Sequence, residues 1–140
     1  MAAWLAGLWA GGLLVIGGMA APAAFAVAAP EVAGRIAGRL FAQEAHLGLG
    51  FAAALVLLLR HHARLIAGRR AGSLFSPDLM LVLGAVFCTV AGYFALQPMM
   101  AAARAGQGSL SFGILHGLSA VFFGIKGLLV LTLAWRLTRR

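Results

Sequence analysis

Charge and cysteine are scarce in this chain of 140 residues. Only 10% of the residues are charged, and Asp and Glu together number three, against 11 Lys and Arg. The three acids, Glu31, Glu44 and Asp78, are far apart in the sequence, and neither a nucleophile elbow nor a phosphate-binding loop is present, so we expect no enzyme. The single cysteine, Cys88, excludes an intrachain disulfide and any cysteine-based metal motif.

The basic excess of +8 is not arranged for nucleic acid. The chain has no zinc-finger spacing and no basic stretch interleaved with aromatic residues. Its basic residues instead lie at the ends of apolar stretches, where they suit anionic lipid headgroups. We therefore expect the lipid bilayer, and no nucleic acid, as a partner.

Apolar residues make up most of the chain. Hydrophobic residues account for 63% of it, whereas soluble domains contain about 45–50%. Four stretches are long enough to cross a hydrocarbon layer of about 30 Å, over residues 3–28, 38–60, 78–103 and 109–137. These stretches use nearly the whole length, so the sequence predicts one domain over residues 1–140. The predicted fold class is all-α, an integral membrane four-helix bundle.

Three local signals refine the spans. No basic residue precedes the first apolar stretch, so we expect it to be a retained span rather than a signal peptide. Residues 31–67 contain no proline and predict one helix of roughly 55 Å, whose first turns project beyond the membrane core. Ser76, Pro77 and Asp78 are typical of a helix start, and residues 68–76 read as a loop before it.

The distribution of Lys and Arg predicts the orientation. One side of the predicted bundle carries seven of these residues, Arg60, Arg64, Arg69, Arg70, Arg136, Arg139 and Arg140. The other side carries three, Arg35, Arg39 and Arg104. Because positive charge stays in the cytoplasm, we expect an inner (plasma) membrane protein with both termini cytoplasmic.

Glycine pairs spaced four apart occur in three of the spans. They are Gly7 with Gly11, Gly34 with Gly38, and Gly113 with Gly117. Such pairs let helix backbones approach closely, so we interpret them as packing faces. A homo-oligomer or a larger membrane complex is left open by the same pattern.

Polar side chains recur at helical spacing in the predicted outer halves of three spans. The candidate ligand-binding residues are Arg39, Gln43, His46, Tyr93, Gln97, Arg104, His116 and Ser119. Polar groups inside lipid usually face the bundle interior and are often functional, so we expect these side chains to converge on one site. Alternatively, they hydrogen-bond across helices, each bond contributing about 0.6 kcal/mol.

Two further hypotheses concern cofactors, whose identity the sequence leaves unknown. His46 and His116, together with Met100, form a candidate site for a soft metal such as Cu(I). The same two histidines could instead ligate a haem. Lys126 is predicted near mid-membrane with no acid at its depth. Its amine should then be paired, deprotonated, or extended toward the inner interface, which its stem could reach.

Several motifs together resemble a known family. They are Trp9-Ala10-Gly11-Gly12, Ala21-Pro22 with Phe25, the segment 33–41, Gln97-Pro98 followed by Arg104, and residues 112–116 followed by Ser119. In this order and spacing the chain resembles the family that includes transmembrane protein 205. The resemblance implies a four-span membrane protein of unestablished biochemical function. Five of its positions, Arg39, Gln97, Arg104, His116 and Ser119, belong to the predicted polar site.

These observations leave three hypotheses about function. The leading one is a protein that binds, or helps to transport, a small polar or metal-ion ligand at the outer polar cluster. The alternative is a structural or assembly subunit of a larger membrane complex, in which the glycine faces contact a partner. A haem-binding membrane protein is the third.

Reporter fusions test the predicted orientation. Fusions after Gly72 and at the C-terminus should behave as cytoplasmic, and a fusion after Gly106 should behave as exported, because of the seven-to-three asymmetry in Lys and Arg. The reverse pattern of reporter activity would overturn the orientation and turn the polar cluster toward the cytoplasm.

Overall fold

The computed structural model describes residues 1–67 and 76–139, and four long helices make up most of them. They are α1 (Ala2–Val27), α2 (Pro30–Ala67), α3 (Pro77–Arg104) and α4 (Phe112–Thr138). Each is long and apolar enough to cross a membrane. This confirms the predicted all-α four-helix fold and a multi-pass membrane protein. Residues 68–75 of the predicted loop over residues 68–76 lie outside the described residues.

The helix starts follow from local sequence. Ser76 caps α3, its Oγ accepting the backbone N–H of Leu79 at 3.2 Å, with Pro77 in the first turn. Ser111 caps α4 in the same way through the N–H of Ile114. Between α3 and α4, Gly106 and Gly108 adopt φ angles of +71° and +102°, which other residues rarely adopt. We call this end of the bundle the turn end.

The opposite end, where α2 finishes, α3 begins and α4 finishes, is called the basic end. Around the bundle each helix packs on its neighbours in chain order, and α1 also packs on α4. Helices α2 and α4 are therefore diagonal to each other. The main apolar core consists of ten buried residues: Ala6, Trp9, Ala10, Leu13, Ala52, Leu55, Val82, Ala85, Val130 and Leu133. A second cluster of Leu96, Met100 and Leu115 lies nearer the turn end.

Helices α1 and α3 each contain one stretch of π-helix, at Ile16–Ala20 and Val90–Ala95. A glycine in each stretch faces a ring of α4. A Cβ on Gly17 would lie 2.6 Å from Cε1 of Phe123, and a Cβ on Gly92 would collide with Cβ of Phe122. The Ser119 hydroxyl donates to the Gly92 carbonyl at 2.7 Å. The two π-helical stretches thus bring α1 and α3 against the aromatic part of α4.

The predicted glycine pairs do not serve this packing. A Cβ added at any of their six positions would meet nothing within 4 Å. The interpretation of these pairs as packing faces between helices of the chain is therefore wrong. The spacing alone does not reveal which face of a helix meets a neighbour, and the close approaches occur where a bulky side chain lies opposite a glycine.

Alanine substitutions separate the two classes of glycine. Gly92→Ala should lower the stability of the protein in detergent by about 1–3 kcal/mol, because the added methyl overpacks Phe122. Gly117→Ala is the matched control on an open helix face, and it should leave stability unchanged or raise it by up to about 1 kcal/mol. Thermal unfolding measures both, and equal effects would show that the contact with Phe122 does not limit packing.

Candidate functional site

A buried ion pair crosses the centre of the bundle. The Lys126 ammonium on α4 donates to Oε2 of Glu44 on α2 at 2.5 Å, and the two side chains are only 4% and 6% exposed. The indole N–H of Trp9 on α1 donates to the other carboxylate oxygen at 3.4 Å. The Phe123 ring centroid lies 5.1 Å from the Lys126 nitrogen. These four residues form what we call the core charge site.

The parallel direction of α2 and α4 builds this site. Side chains lean toward the N-terminus of their helix, so Glu44 and Lys126 both lean toward the turn end. Three residues earlier on each helix, Phe41 and Phe123 meet edge to face with their centroids 5.0 Å apart. The diagonal helices are thus joined by an ion pair and, one turn closer to the turn end, by an aromatic pair.

Gly48 makes room for the third member of the site. A Cβ at this position would lie 3.1 Å from Oε1 of Glu44 and 3.2 Å from Nε1 of Trp9. Both distances are shorter than ordinary contacts, so glycine on α2 permits the indole to reach the carboxylate. Trp9 also stacks on Phe51, with centroids 6.3 Å apart, which holds the indole in the core.

The core charge site lies deep in the membrane layer. At the basic end, Arg136 Nε donates to Asp78 Oδ1 at 2.8 Å, in a second ion pair between α4 and α3. Lys126 precedes Arg136 by ten residues and follows Phe112 by fourteen, which correspond to about 15 Å and about 21 Å of helix. In a hydrocarbon layer of about 30 Å, the Glu44–Lys126 pair is close to the middle.

This pair corrects the prediction for Lys126. The sequence suggested that no acid shares its depth, and that statement is wrong. Of the three states expected for the amine, the structure shows the paired one. The depth of Glu44 was misjudged because α2 does not project beyond the turn end as expected. Glu44 follows Pro30 by fourteen residues, as Lys126 follows Phe112, and the extra length of α2 lies at the basic end. The sequence did contain a signal for this pair, because two opposite charges within apolar stretches of one small chain are stabilised by pairing, whereas an isolated charge in lipid is very unfavourable.

The eight predicted ligand-binding residues lie mostly at the surface of the bundle. Arg39, Gln43, His46, Arg104 and His116 are exposed, and Tyr93, Gln97 and Ser119 are partly buried. Met100, predicted as a metal ligand, is buried in the apolar cluster near the turn end. Glu44 lies on a different face of α2 from the predicted stripe, and it is this face that points into the bundle.

Two separate groups emerge from their contacts. At the turn end, the Arg104 guanidinium lies 4.5 Å from the Phe112 ring centroid. Phe112 in turn stacks on His116, with centroids 5.7 Å apart. We call Arg104, Phe112 and His116 the turn-end cluster. The His46 ring instead makes an edge-to-face contact with Phe94, with ring centroids 5.3 Å apart. Its Nδ1 lies 2.7 Å from the Ala42 carbonyl oxygen.

The two histidines have different ring neighbours, Phe94 for His46 and Phe112 for His116. Phe94, beside His46, precedes Arg104 by ten residues of helix α3, which is about 15 Å along its axis. The structure therefore brings Arg104 and His116 into one group but does not bring His46 to them. Ligation of a metal ion or a haem by His46 and His116 together stays a prediction.

Within residues 1–65 and 76–139, no group of three or more His, Cys, Asp or Glu side chains is arranged to hold a metal ion. The role of the eight residues in ligand binding stays a prediction. Their observed contacts place candidate binding surfaces at the turn-end cluster and around His46.

Removing one charge of the core site should cost far more than removing both. Lys126→Met leaves the Glu44 carboxylate buried without a counter-charge and should destabilise the protein by about 3–5 kcal/mol. The double variant Glu44→Gln/Lys126→Met keeps a neutral partner for Trp9 and should recover most of that loss. Unfolding in detergent measures both. A double variant as unstable as the single one would show that the ion pair itself, and not the isolated charge, determines stability.

Comparison with known proteins identifies one family. Residues 4–109 match a domain of unknown function, DUF4149. No curated protein and no solved structure matches the chain. The matched segment covers more than half of the chain and includes Trp9 and Glu44, whereas Lys126 and the α4 members of the turn-end cluster lie beyond it. The chain belongs to the DUF4149 family, a domain of unknown function.

Proposed function

We propose that this protein is an inner-membrane protein with both termini cytoplasmic that binds a small anion at its outer face and helps to transport it. Within the DUF4149 family, we propose a relationship to the group that includes transmembrane protein 205, in keeping with the four spans and the motifs quoted above. The proposal assigns no catalytic residue.

The turn-end cluster carries the proposal. Arg104 is exposed at the end of α3, and its cationic head packs on Phe112, which also holds the His116 ring. Among the described residues, the ion pairs within 4.0 Å are Glu44 with Lys126 and Asp78 with Arg136, and neither these acids nor Glu31 pairs with this guanidinium. A stacked guanidinium presents a planar fork of N–H donors, which suits the oxygens of phosphate, sulfate or a carboxylate.

An anion fits this cluster better than a metal ion does. Arg104 repels a cation, and His116 is the only strong metal-ligating side chain in the cluster. Of the two ligand classes that the sequence suggested, the polar ligand is therefore the one we propose.

A second candidate function is a structural or assembly subunit. Gly113 and Gly117 on α4, and Gly7 and Gly11 on α1, face open space in the single chain. Such faces could accept the backbone of a helix from another copy or from a larger membrane complex. The Gly113→Leu/Gly117→Leu double variant would then lose an oligomer or complex that native mass spectrometry detects for the unaltered protein.

Calorimetry with inorganic phosphate, sulfate and acetate tests the anion proposal. In discs of neutral lipid, Arg104→Gln should weaken binding of the preferred anion by about tenfold or more, since hydrogen bonds to a charged group contribute about 1.5–3 kcal/mol each. Arg60→Gln at the basic end is the matched control and should bind as the unaltered protein does. If none of the three anions binds, or if Arg104→Gln binds them equally well, the proposal fails.

A further inference from the structure

We propose that the Glu44–Lys126 pair is a proton-controlled anion site. Lys126 holds the Glu44 carboxylate while that group is ionised, and it holds a small monovalent anion once Glu44 is protonated. The inference rests on the proposed function, because it assigns a mid-membrane station to the ligand class that the turn-end cluster would bind.

Charge neutrality is the first step of the argument. Lys126 and Glu44 are buried near mid-membrane, and their charges cancel. Among the described residues, no third charged side chain joins either of them in an ion pair. Protonation of Glu44 would therefore leave the Lys126 ammonium without a counter-charge in a medium where isolated charge is very costly.

A monovalent anion restores the balance. One proton from water adds to a Glu44 carboxylate oxygen, and one anion takes the place of that oxygen beside the Lys126 nitrogen. No bond of the protein breaks, and the net charge of the site stays zero throughout. A divalent anion would leave an excess negative charge, so the site should select single charges.

The charges of the Glu44–Lys126 pair are not needed for packing of the core. The neighbouring core layer is filled by apolar side chains such as Leu55, Val82 and Val130. Replacing a buried ion pair by apolar residues of similar volume is often neutral or stabilising, so the presence of charge is weak evidence for a role in stability. Charged groups inside membrane spans commonly mark ion or proton paths instead.

An apolar groove adjoins the site. It has a volume of about 330 Å³, lies between α1 and α4, and is walled in part by Phe123 together with Gly17, Gly124 and Gly127. The same Phe123 ring has its centroid 5.1 Å from the Lys126 nitrogen, so it lies between the groove lining and the ion pair's immediate surroundings.

The groups that face the pair come from every helix. Trp9 on α1 donates to Glu44 and carries no charge at any accessible pH. On α3, the buried thiol of Cys88 lies within electrostatic reach of Lys126. Phe41 and Phe123 cover the side toward the turn end. Glu44 is thus the one carboxylate at the site, and its protonation is the event that the proposal requires.

Glu44→Gln imitates the protonated state and provides the first test, with chloride as the probe. The melting temperature of this variant in detergent should rise with chloride at constant ionic strength, against gluconate, and should saturate as binding does. The Glu44→Gln/Lys126→Met double variant should lose that dependence. A chloride response that survives in the double variant, or is absent from a folded Glu44→Gln variant, overturns the proposal.

Infrared spectroscopy of the unaltered protein provides a second test that does not depend on how Glu44→Gln folds. The chain has only three acids, so a protonated-carboxyl band can be assigned by its loss in Glu44→Gln and its retention in Glu31→Gln and Asp78→Asn. At fixed acidic pH, added chloride should increase the Glu44 band, because an anion that binds the protonated form must favour protonation. A band that chloride leaves unchanged overturns the proposal.

Arg104→Gln separates this inference from the proposed function. If the turn-end cluster alone binds anions, Arg104→Gln abolishes every anion response and the core charge site fails. If only the core charge site binds them, the chloride dependence of Glu44→Gln persists in the Glu44→Gln/Arg104→Gln double variant while the calorimetric test fails. Both assignments are supported if Arg104→Gln weakens anion binding in the calorimetric test and the chloride dependence of Glu44→Gln persists in the Glu44→Gln/Arg104→Gln double variant.

Discussion

The need to cancel charge in the middle of the membrane determines how this bundle is assembled. Helices α2 and α4 are diagonal, so they lack the long packing seam that each shares with α1 and α3. They meet instead through the Glu44–Lys126 pair and through the Phe41–Phe123 contact one turn away. Sliding α4 by a single turn, about 5.4 Å, would break both contacts and leave two buried charges apart. The ion pair therefore sets the register in which the flanking helices must pack.

The flanking helices accommodate that register through α4. Phe122 and Phe123 project from adjacent positions of α4 toward α3 and α1, and each meets a glycine in a π-helical stretch. A π-helical stretch shifts the face that follows it, so it realigns the rest of α1 or α3 with its neighbours. The Ser119 hydroxyl satisfies the Gly92 carbonyl inside one such stretch, which keeps a backbone group paired where water is absent. Ser119 therefore has a structural role whether or not it binds a ligand.

The sequence predicted the parts of this structure that depend on one helix at a time. Apolar length gave the four helices, and Ser76 with Pro77 gave the start of α3, because both signals are local. The prediction that the glycine pairs are packing faces was wrong, and the residues of the predicted polar site lie in separate groups. Both predictions depended on which helix faces meet and at what depth. Periodicity grouped His46 and Gln43 in one stripe, but it could not tell that these residues are exposed while Glu44, on another face, points inward. The one non-local rule available, that a buried Lys and a buried Glu must pair, would have found the centre of the fold.

Two positively charged places follow one another along α3 and α4. The Arg104–Phe112 contact lies at the turn end, and Lys126 lies about 21 Å further along α4. The two differ in the physics that governs them. Arg104 is exposed and can exchange ligands with water without loss of a partner, whereas Lys126 is buried and can release its carboxylate only if another negative charge replaces it. A ligand that passed from the first to the second would have to be matched by a proton on Glu44. Movement of an anion through this bundle would consequently be coupled to protons by the cost of uncompensated charge.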